Sequence, residues 1–551
     1  MVELTSFELG ETEDPRGDLL WGTIPHLVEW AGERFALTEA VVDGDVRLSF
    51  AELAAQVDAA ARGFIASGIE AGDRVAIWAP NCVEWIITAL GAVRAGGILV
   101  TLNTRYKGAE AAYILEASGA RWLLAVRGFL GFDYPAMLVG EAIGDLDKIV
   151  IIKGEVDGDS PDGVEVSSLA DLLDEGTSID AAQSQARADG IAPAATSDLV
   201  FTSGTTGRPK GAMTTHGQTL RTFATWASIV GLRHGDRYLI VNPFFHTFGY
   251  KAGLLASLMA GATMVPEPVF DVDVVLDRIH AEAISMLPGP PTLHQSIYAH
   301  PRRAEVDLSS LRLGVTGAAV VPVELVVAMR EELGFETVVT AYGLTESCGV
   351  VTMCRRDDPA EIIAGTSGRA IPDIEVKVID PDGVELSRGE PGEIVVRGYT
   401  VMEGYFGQPE ETAKAIDADG WLHTGDVGTM DADGNIVITD RLKDMYVTGG
   451  FNAYPAEIEA VLRQHACVEQ VAVIGIPDER LGEVGCAYVV RPPDEARADD
   501  DVTSELLALA KEKLANFKVP RRVIIVDSLP MNASGKVLKR ELREQFLAEA
   551  R

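Results

Sequence analysis

The chain has 551 residues, 47% of them hydrophobic and 24% charged, enough for several structural units around a large core. Its formal net charge is −36. A field of that sign repels nucleic acid and anionic membrane surfaces, which excludes a general binder of either but not a local cationic pocket. The five cysteines (Cys82, Cys348, Cys354, Cys467 and Cys486) form no CxxC pair. That speaks against a disulfide framework or a zinc site, and for a reducing, cytoplasmic setting. The N-terminus lacks a basic segment leading into an apolar one, and the apolar stretch Trp85–Leu102 is broken by Arg94 and glycines, so neither a signal peptide nor a membrane span is expected.

Taken in chain order, Glu39–Ser49 reads as a hairpin around Asp43-Gly44. A helix follows, with Leu53, Val57, Ala60, Phe64 and Ile65 on one face. Arg74–Trp78 is a short buried strand, and a helix covers Val83–Ala95. Strands and helices then alternate to about residue 340, which predicts an α/β fold with doubly wound parallel sheets. The polar stretches Gly154–Gly163 and Glu175–Asp198 read as surface insertions. From Thr366, turn signals at Pro381-Asp382-Gly383, Gly389–Gly392 and Asp433-Gly434 predict a small β-rich subdomain. A compact α+β unit comes last, with helices at Pro455–His465 and Thr503–Ala515. Its strands are expected at Gln470–Ile476, Gly485–Val490 and Val523–Val526.

The densest chemistry lies in Thr202-Ser203-Gly204-Thr205-Thr206-Gly207-Arg208-Pro209-Lys210. Glycines let a backbone approach an anion, N–H groups of a loop form an anion-binding concavity, hydroxyls donate to phosphate oxygens, and Lys210 adds a point charge. The spacing is not that of a Walker loop: Arg208 and Pro209 separate Gly207 from Lys210. A flexible surface loop would need neither the hydroxyls nor the lysine. A second segment, Tyr342-Gly343-Leu344-Thr345-Glu346, joins an aromatic ring, a hydroxyl and a carboxylate at a strand end. Alone it reads as an ordinary loop, and beside the first motif it reads as a nucleotide site. Near the C-terminus, Asn532-Ala533-Ser534-Gly535-Lys536 is a polar turn able to project Lys536.

On these motifs the chain resembles the adenylate-forming superfamily, which includes acyl-CoA synthetases, free-standing adenylation domains and firefly luciferase. The resemblance covers nearly the whole chain. It implies an N-terminal AMP-binding domain, 1–440, and a mobile C-terminal domain, 441–551, carrying a catalytic lysine. By resemblance, Thr202–Gly207 and Lys210 hold ATP phosphates, and Gly317-Ala318-Ala319 flank the adenine. Tyr342 and Gly343 lie against the base, Thr345 meets the α-phosphate, and Glu346 holds Mg²⁺. Asp426 and Arg441 are implied ribose ligands, and Lys443 the hinge. Gly449, Gly450 and Phe451 line the pantetheine tunnel for coenzyme A. Lys536 bridges the attacking carboxylate and the α-phosphate. His246, within Asn242–Tyr250, belongs to the acid site. Alone, a histidine among phenylalanines would read as core.

The implied activity is ATP-dependent acyl-CoA synthesis, giving acyl-AMP and then acyl-CoA. Runs such as Asn242–Ala252, Leu287–Pro291 and Asp440–Tyr446 resemble the actinobacterial type that activates the propionate side chain of a bicyclic steroid remnant. Thr247 stands where that type tends to have asparagine. A medium- or long-chain fatty acid stays open as substrate. Two other readings also remain open: an acyl-AMP ligase or stand-alone adenylation enzyme loading a carrier protein, and an inactive nucleotide sensor or scaffold. The oligomeric state is open, a homodimer included.

Overall fold

The computed structural model describes residues 21–202, 209–317, 321–441, 444–448, 451–453, 455–478, 481–493, 495, 497–514, 516–531 and 537–549. Packing divides the chain into two units. The first runs to Val376 and includes Val396–His423 and Asp433–Asn435. The second comprises Lys377–Val395, Thr424–Ala432 and Ile436–Arg551.

In the first unit the predicted hairpin forms, Glu39–Asp43 pairing antiparallel with Val46–Ser49. Ser49 then caps the helix Phe50–Ala66: its hydroxyl accepts the Glu52 N–H, and the Glu52 carboxylate accepts the Ser49 N–H. Leu53, Val57, Ala60 and Phe64 are buried, as the 3.6-residue period requires. Six strands build the parallel part of the main sheet. Their order is Thr196–Thr202, Ile98–Thr101, Arg74–Trp78, Trp122–Phe129, Lys148–Lys153 and Glu165–Ser168. Helices Val83–Arg94 and Gly108–Ser118 make the crossovers. At one edge the order departs from all-parallel: Lys210–Thr215 returns antiparallel along Thr196–Thr202, and Gly404–Tyr405 pairs outside it. A second sheet pairs Arg237–Ile240, Thr263–Pro266 and Glu39–Asp43 in parallel. Single bridges at Met286 link it to the parallel pair Leu313–Thr316 and Thr337–Tyr342.

The stretch Glu175–Asp198 is not a surface insertion. It contains the helix Ala181–Asp189, capped by Asp180 and burying Ser184 and Ala188. Arg187 from this helix donates to the Ile69 and Ala95 carbonyls. The stretch ends inside the strand Thr196–Thr202, where Ser197 and Asp198 have no exposed surface.

Ile374–Ile379, Gly392–Gly398, Leu422–Met430 and Ile436–Arg441 pair in that order into a four-stranded sheet, most of it counted with the second unit. The rest of that unit is α+β. Its strand Gln470–Asp478 pairs antiparallel with Gly482–Val490, which takes Arg522–Ile525 in parallel on its other side. Side chains alternate across the strand, and both faces are covered. Val471 and Val473 pack with Ile458, Leu462 and Leu506 of the helices Pro455–Leu462 and Asp499–Lys513. Ala472, Ile474 and Ile476 pack with Leu542 and Phe546 of a helix the sequence reading lacks, Lys539–Glu549. Lys539 opens that helix and is half-buried. It meets buried Glu459 at 2.8 Å, and the same carboxylate oxygen accepts the Val473 N–H at 2.8 Å. Among the described residues no helix is long and apolar enough to cross a membrane.

Candidate active site

The antiparallel return of Lys210–Thr215 along Thr196–Thr202 sets Lys210 opposite Thr202. Both ends of the hydroxyl-rich loop are therefore held by strand pairing. Ser203, Gly204, Thr205, Thr206 and Gly207 lie outside the described residues. The Thr202 hydroxyl donates to Glu346 Oε1 at 3.3 Å, joining two motifs 144 residues apart. The Tyr405 hydroxyl donates to the same oxygen at 2.9 Å. Burial first, and the neighbouring Glu346 carboxylate second, push the Tyr405 phenol up, so it remains a donor.

Lys210 is buried and forms an ion pair with Glu411, and its Nζ lies 4.9 Å from the centre of the Tyr405 ring. Hydrogen bonds from Lys210 and then Lys414 hold the Glu411 carboxyl down to about 2. The sequence reading missed Tyr405 and Glu411. The available signal was Pro409 opening a short helix with Glu410 and Glu411 in its first turn.

Tyr342 ends the strand Thr337–Tyr342 half-buried, and its carbonyl accepts the Val351 N–H at 2.7 Å. The chain turns back within nine residues. Thr345–Ser347 form a short 3-10 turn closed by Cys348 N–H on the Thr345 carbonyl at 3.0 Å. Gly343 permits this reversal: a Cβ there would sit 2.2 Å from the Gly349 carbonyl oxygen. Tyr342, Gly343, Thr345 and Glu346 thus share one tight turn. Gly317 follows the strand Leu313–Thr316, and Ala318 and Ala319 lie outside the described residues.

The segment Asn242–Tyr250 is pinned by a residue the sequence reading passed over. Asn81 Nδ2 donates to the Ile240 and Asn242 carbonyls, both at 2.9 Å, and its Oδ1 accepts the Phe244 N–H at 2.7 Å. Thr101 holds the Phe245 carbonyl at 2.7 Å. Phe244 and Tyr250 are buried against Trp85. His246 is exposed, with Nδ1 accepting the Phe248 N–H at 3.2 Å, and Phe248 meets Trp226 edge-on at 6.1 Å. From Phe248 to Leu255 the chain is a π-helix, a rare form that is frequent at functional sites.

In the second unit Asp426 is buried, and strand pairing places it opposite Arg441. Its N–H donates to the Thr424 hydroxyl at 3.1 Å, which in turn donates to the Ile394 carbonyl at 2.6 Å. Phe451 opens the strand Phe451–Ala453. Lys443, Gly449, Gly450 and Lys536 lie outside the described residues.

No cluster of three or more metal-ligating His, Cys, Asp or Glu side chains occurs among the described residues. Glu346 is a single carboxylate among hydroxyls. Such a donor set suits Mg²⁺ held mainly by phosphate oxygens and water, and does not suit a closed protein cage.

A hydroxyl-rich hairpin meeting a Tyr-Gly-x-Thr-Glu turn, with a separate small α+β unit, is the arrangement of a nucleotide-using enzyme of the adenylate-forming kind. The chain belongs to the AMP-binding enzyme family: that family's model matches residues 28–406, and the model of the AMP-binding enzyme C-terminal domain matches 457–536. It is 50% identical over 526 residues to the 3-(7a-methyl-1,5-dioxo-octahydro-1H-inden-4-yl)propanoyl:CoA ligase of Rhodococcus jostii (strain RHA1), covering 95% of this chain and 98% of that one. It is 47% identical to the ligase of the same description from Mycobacterium tuberculosis (strain ATCC 25618 / H37Rv), with 95% and 98% covered. Among solved structures it is similar to the anthranilate CoA ligase AuaEII in complex with anthranoyl-AMP. That match has a TM-score of 0.83 and 28% identity, covering 97% of this chain and 99% of that one.

Proposed function

We propose that this chain is an ATP-dependent acid–CoA ligase whose acid is the propanoate side chain of a fused, methylated bicyclic diketone. The observation that carries the substrate is the 50% identity, over nearly both full lengths, to a ligase named for that acid. The adenylation and CoA steps fit a domain division at 1–440 and 441–551.

In the first half-reaction the acid carboxylate attacks the α-phosphorus of ATP and pyrophosphate leaves. Two anions must approach, so preorganised positive charge and donors are required. Lys210 and Thr202 receive the phosphates, Thr345 donates to the α-phosphate, and Lys536 bridges it to the carboxylate. Tyr342 and Gly343 pack against adenine beside Gly317-Ala318-Ala319, and Asp426 with Arg441 takes the ribose hydroxyls. Glu346 would hold Mg²⁺, which when bound neutralises charge on the phosphate oxygens. The Tyr405 and Thr202 hydroxyls keep that carboxylate aimed. His246 and the aromatic segment around it shape the acid site. In the second half-reaction the small domain turns about Lys443, withdrawing Lys536 and bringing Gly449, Gly450 and Phe451 to the CoA arm. The CoA thiolate attacks the acyl carbonyl and AMP leaves. One site thereby serves two reactions by domain movement.

The test is pyrophosphate release from MgATP over a panel of acids, with and without CoA. The panel holds short to long fatty acids, aryl acids and the bicyclic diketone propanoate. CoA-dependent turnover highest on the bicyclic acid is expected. A preference for fatty acids would refute the substrate, and release that CoA does not accelerate would refute the thioester step.

A further inference from the structure

Lys251 and Asp198 have no exposed side-chain surface, and Lys251 Nζ lies 2.9 Å from Asp198 Oδ1. The ammonium also donates to the Thr214 hydroxyl at 2.7 Å and the Thr219 hydroxyl at 3.2 Å, and lies 3.7 Å from Cys348 Sγ. Asp198 is satisfied in turn by the Ser197 and Thr214 hydroxyls, at 2.7 and 2.8 Å.

The partners come from several segments that the proposed adenylation needs in register. Asp198 lies on the strand that delivers Thr202, and Thr214 on the strand that begins at Lys210. Thr219 lies on the helix His216–Val230, and Cys348 follows Glu346 by two residues. Lys251 itself sits in the π-helix, five residues beyond His246. One ammonium therefore ties the acid-side segment to both strands of the phosphate hairpin and to the Glu346 turn.

Stability alone does not account for this pair. Desolvating two charges offsets most of their attraction, and a well-packed apolar pair of like volume holds a core equally well. What the charges add is direction, since each donor and acceptor fixes a distance. Cys348 shows the effect: it is a non-glycine residue at φ 55°, a conformation that persists only where the surroundings over-determine it. Its sulfur meets Lys251 and Thr219, both at 3.7 Å.

We propose that the buried Asp198–Lys251 pair is a positioning device for acyl-AMP formation, holding the acid-side π-helix in fixed register with the phosphate hairpin and the Glu346 turn. Lys251 acts through these segments and is not itself a catalytic group. The inference rests on the ligase reading.

The experiment compares wild type with Lys251→Met, Asp198→Asn, the double variant, and Thr219→Val. Each single charge removal strands the other charge in the core, so Tm falls. The double variant removes both and is expected to recover most of the Tm. Its single-turnover rate constant for acyl-AMP formation should remain lower by on the order of 10²-fold, as expected for a misplacement near 1 Å. The burst amplitude, which counts folded sites, should stay at the wild-type value. A merely structural role would lower the amplitude and leave the rate constant alone, and recovery of rate together with Tm overturns the proposal. Should the double variant not fold, Thr219→Val decides: a slower rate at unchanged amplitude supports positioning, and an unchanged rate overturns it. If wild type forms no acyl-AMP with any acid, the ligase reading has failed, and hydrogen exchange at residues 345–348 becomes the readout. Faster exchange there at matched Tm is expected, and equal exchange overturns the inference.

Discussion

Adding one methyl group at Gly343 tests whether the geometry of the Glu346 turn governs the chemistry. A Cβ built at that position lies 2.2 Å from the Gly349 carbonyl oxygen, 2.4 Å from its carbonyl carbon and 2.5 Å from the Val350 nitrogen. Real Cβ contacts are not found below 3.0 Å, and all three neighbours are backbone. No flexible side chain can yield, so the two limbs of the turn must part by roughly 1 Å. The turn between the two clashing positions carries Thr345 and Glu346. A displacement of about 1 Å at reacting groups costs on the order of 10²-fold in rate. Over-packing of this kind costs about 1–3 kcal/mol of stability, which a domain with ordinary margins survives. Gly343→Ala should therefore remain folded at 25 °C, with acyl-AMP formation slowed on the order of 10²-fold. Rapid-quench measurement of acyl-AMP, alongside thermal unfolding, checks both halves. Wild-type acyl-AMP formation in a variant with lowered Tm would refute the link between this turn and catalysis.

Glu346→Gln should raise the Mg²⁺ concentration needed for half-maximal adenylation, and an unaltered Mg²⁺ titration would remove Glu346 from the metal site. Lys536→Ala should abolish acyl-AMP formation while thiolysis of preformed acyl-AMP by CoA continues; equal loss of both steps would contradict its role. Lys443→Pro should trap the adenylating arrangement, so acyl-AMP accumulates without CoA turnover, and normal turnover would exclude a hinge there. Stability should fall in acid because burial lowers His216 and His294 from 6.5 to about 4, keeping both neutral in the fold while the unfolded chain protonates. Their contribution is complete above pH 6.5 and is lost as pH falls toward 4, at about 2 kcal/mol each by pH 5. Denaturant midpoints of wild type and His294→Gln at pH 7.5 and 5 check this, and parallel loss in both proteins would refute it.

What the sequence disclosed, and what it hid, follows from the range of the interactions. The hydroxyl-rich loop, the Tyr342–Glu346 turn and the hairpin at Asp43-Gly44 announce themselves because their chemistry is local. The helix Ala181–Asp189 was hidden by its polar composition, although Asp180 and Gln183 form a capping box that marks its start. The helix Lys539–Glu549 was hidden for the same reason, being mostly charged with Leu542 and Phe546 as its buried contacts. Tyr405, Glu411 and Asn81 act across 59, 201 and 161 residues of chain to reach Glu346, Lys210 and Asn242. No spacing rule reaches that far. Lys251 was concealed differently, since a lysine in an apolar run reads as a surface break and gives no sign of a buried carboxylate 53 residues earlier (Asp198 to Lys251).

The contacts around Lys210 bear on how such a site meets an anion. An ammonium has three donors, and here one faces Glu411 while the cation sits over the Tyr405 ring. Under the proposed function, the charge is thus held in place before a phosphate arrives, and the phosphate shares it with Glu411. Glu346 is prepared in the same way: two hydroxyls converge on one of its oxygens. Groups fixed by their neighbours do not have to reorganise as charge develops on the α-phosphate, which is where electrostatic catalysis has most of its effect. Under the proposed function, that argument gives the residues that fix Lys210 and Glu346, namely Glu411 and Tyr405, as much weight in adenylation as the loop hydroxyls that the sequence puts first.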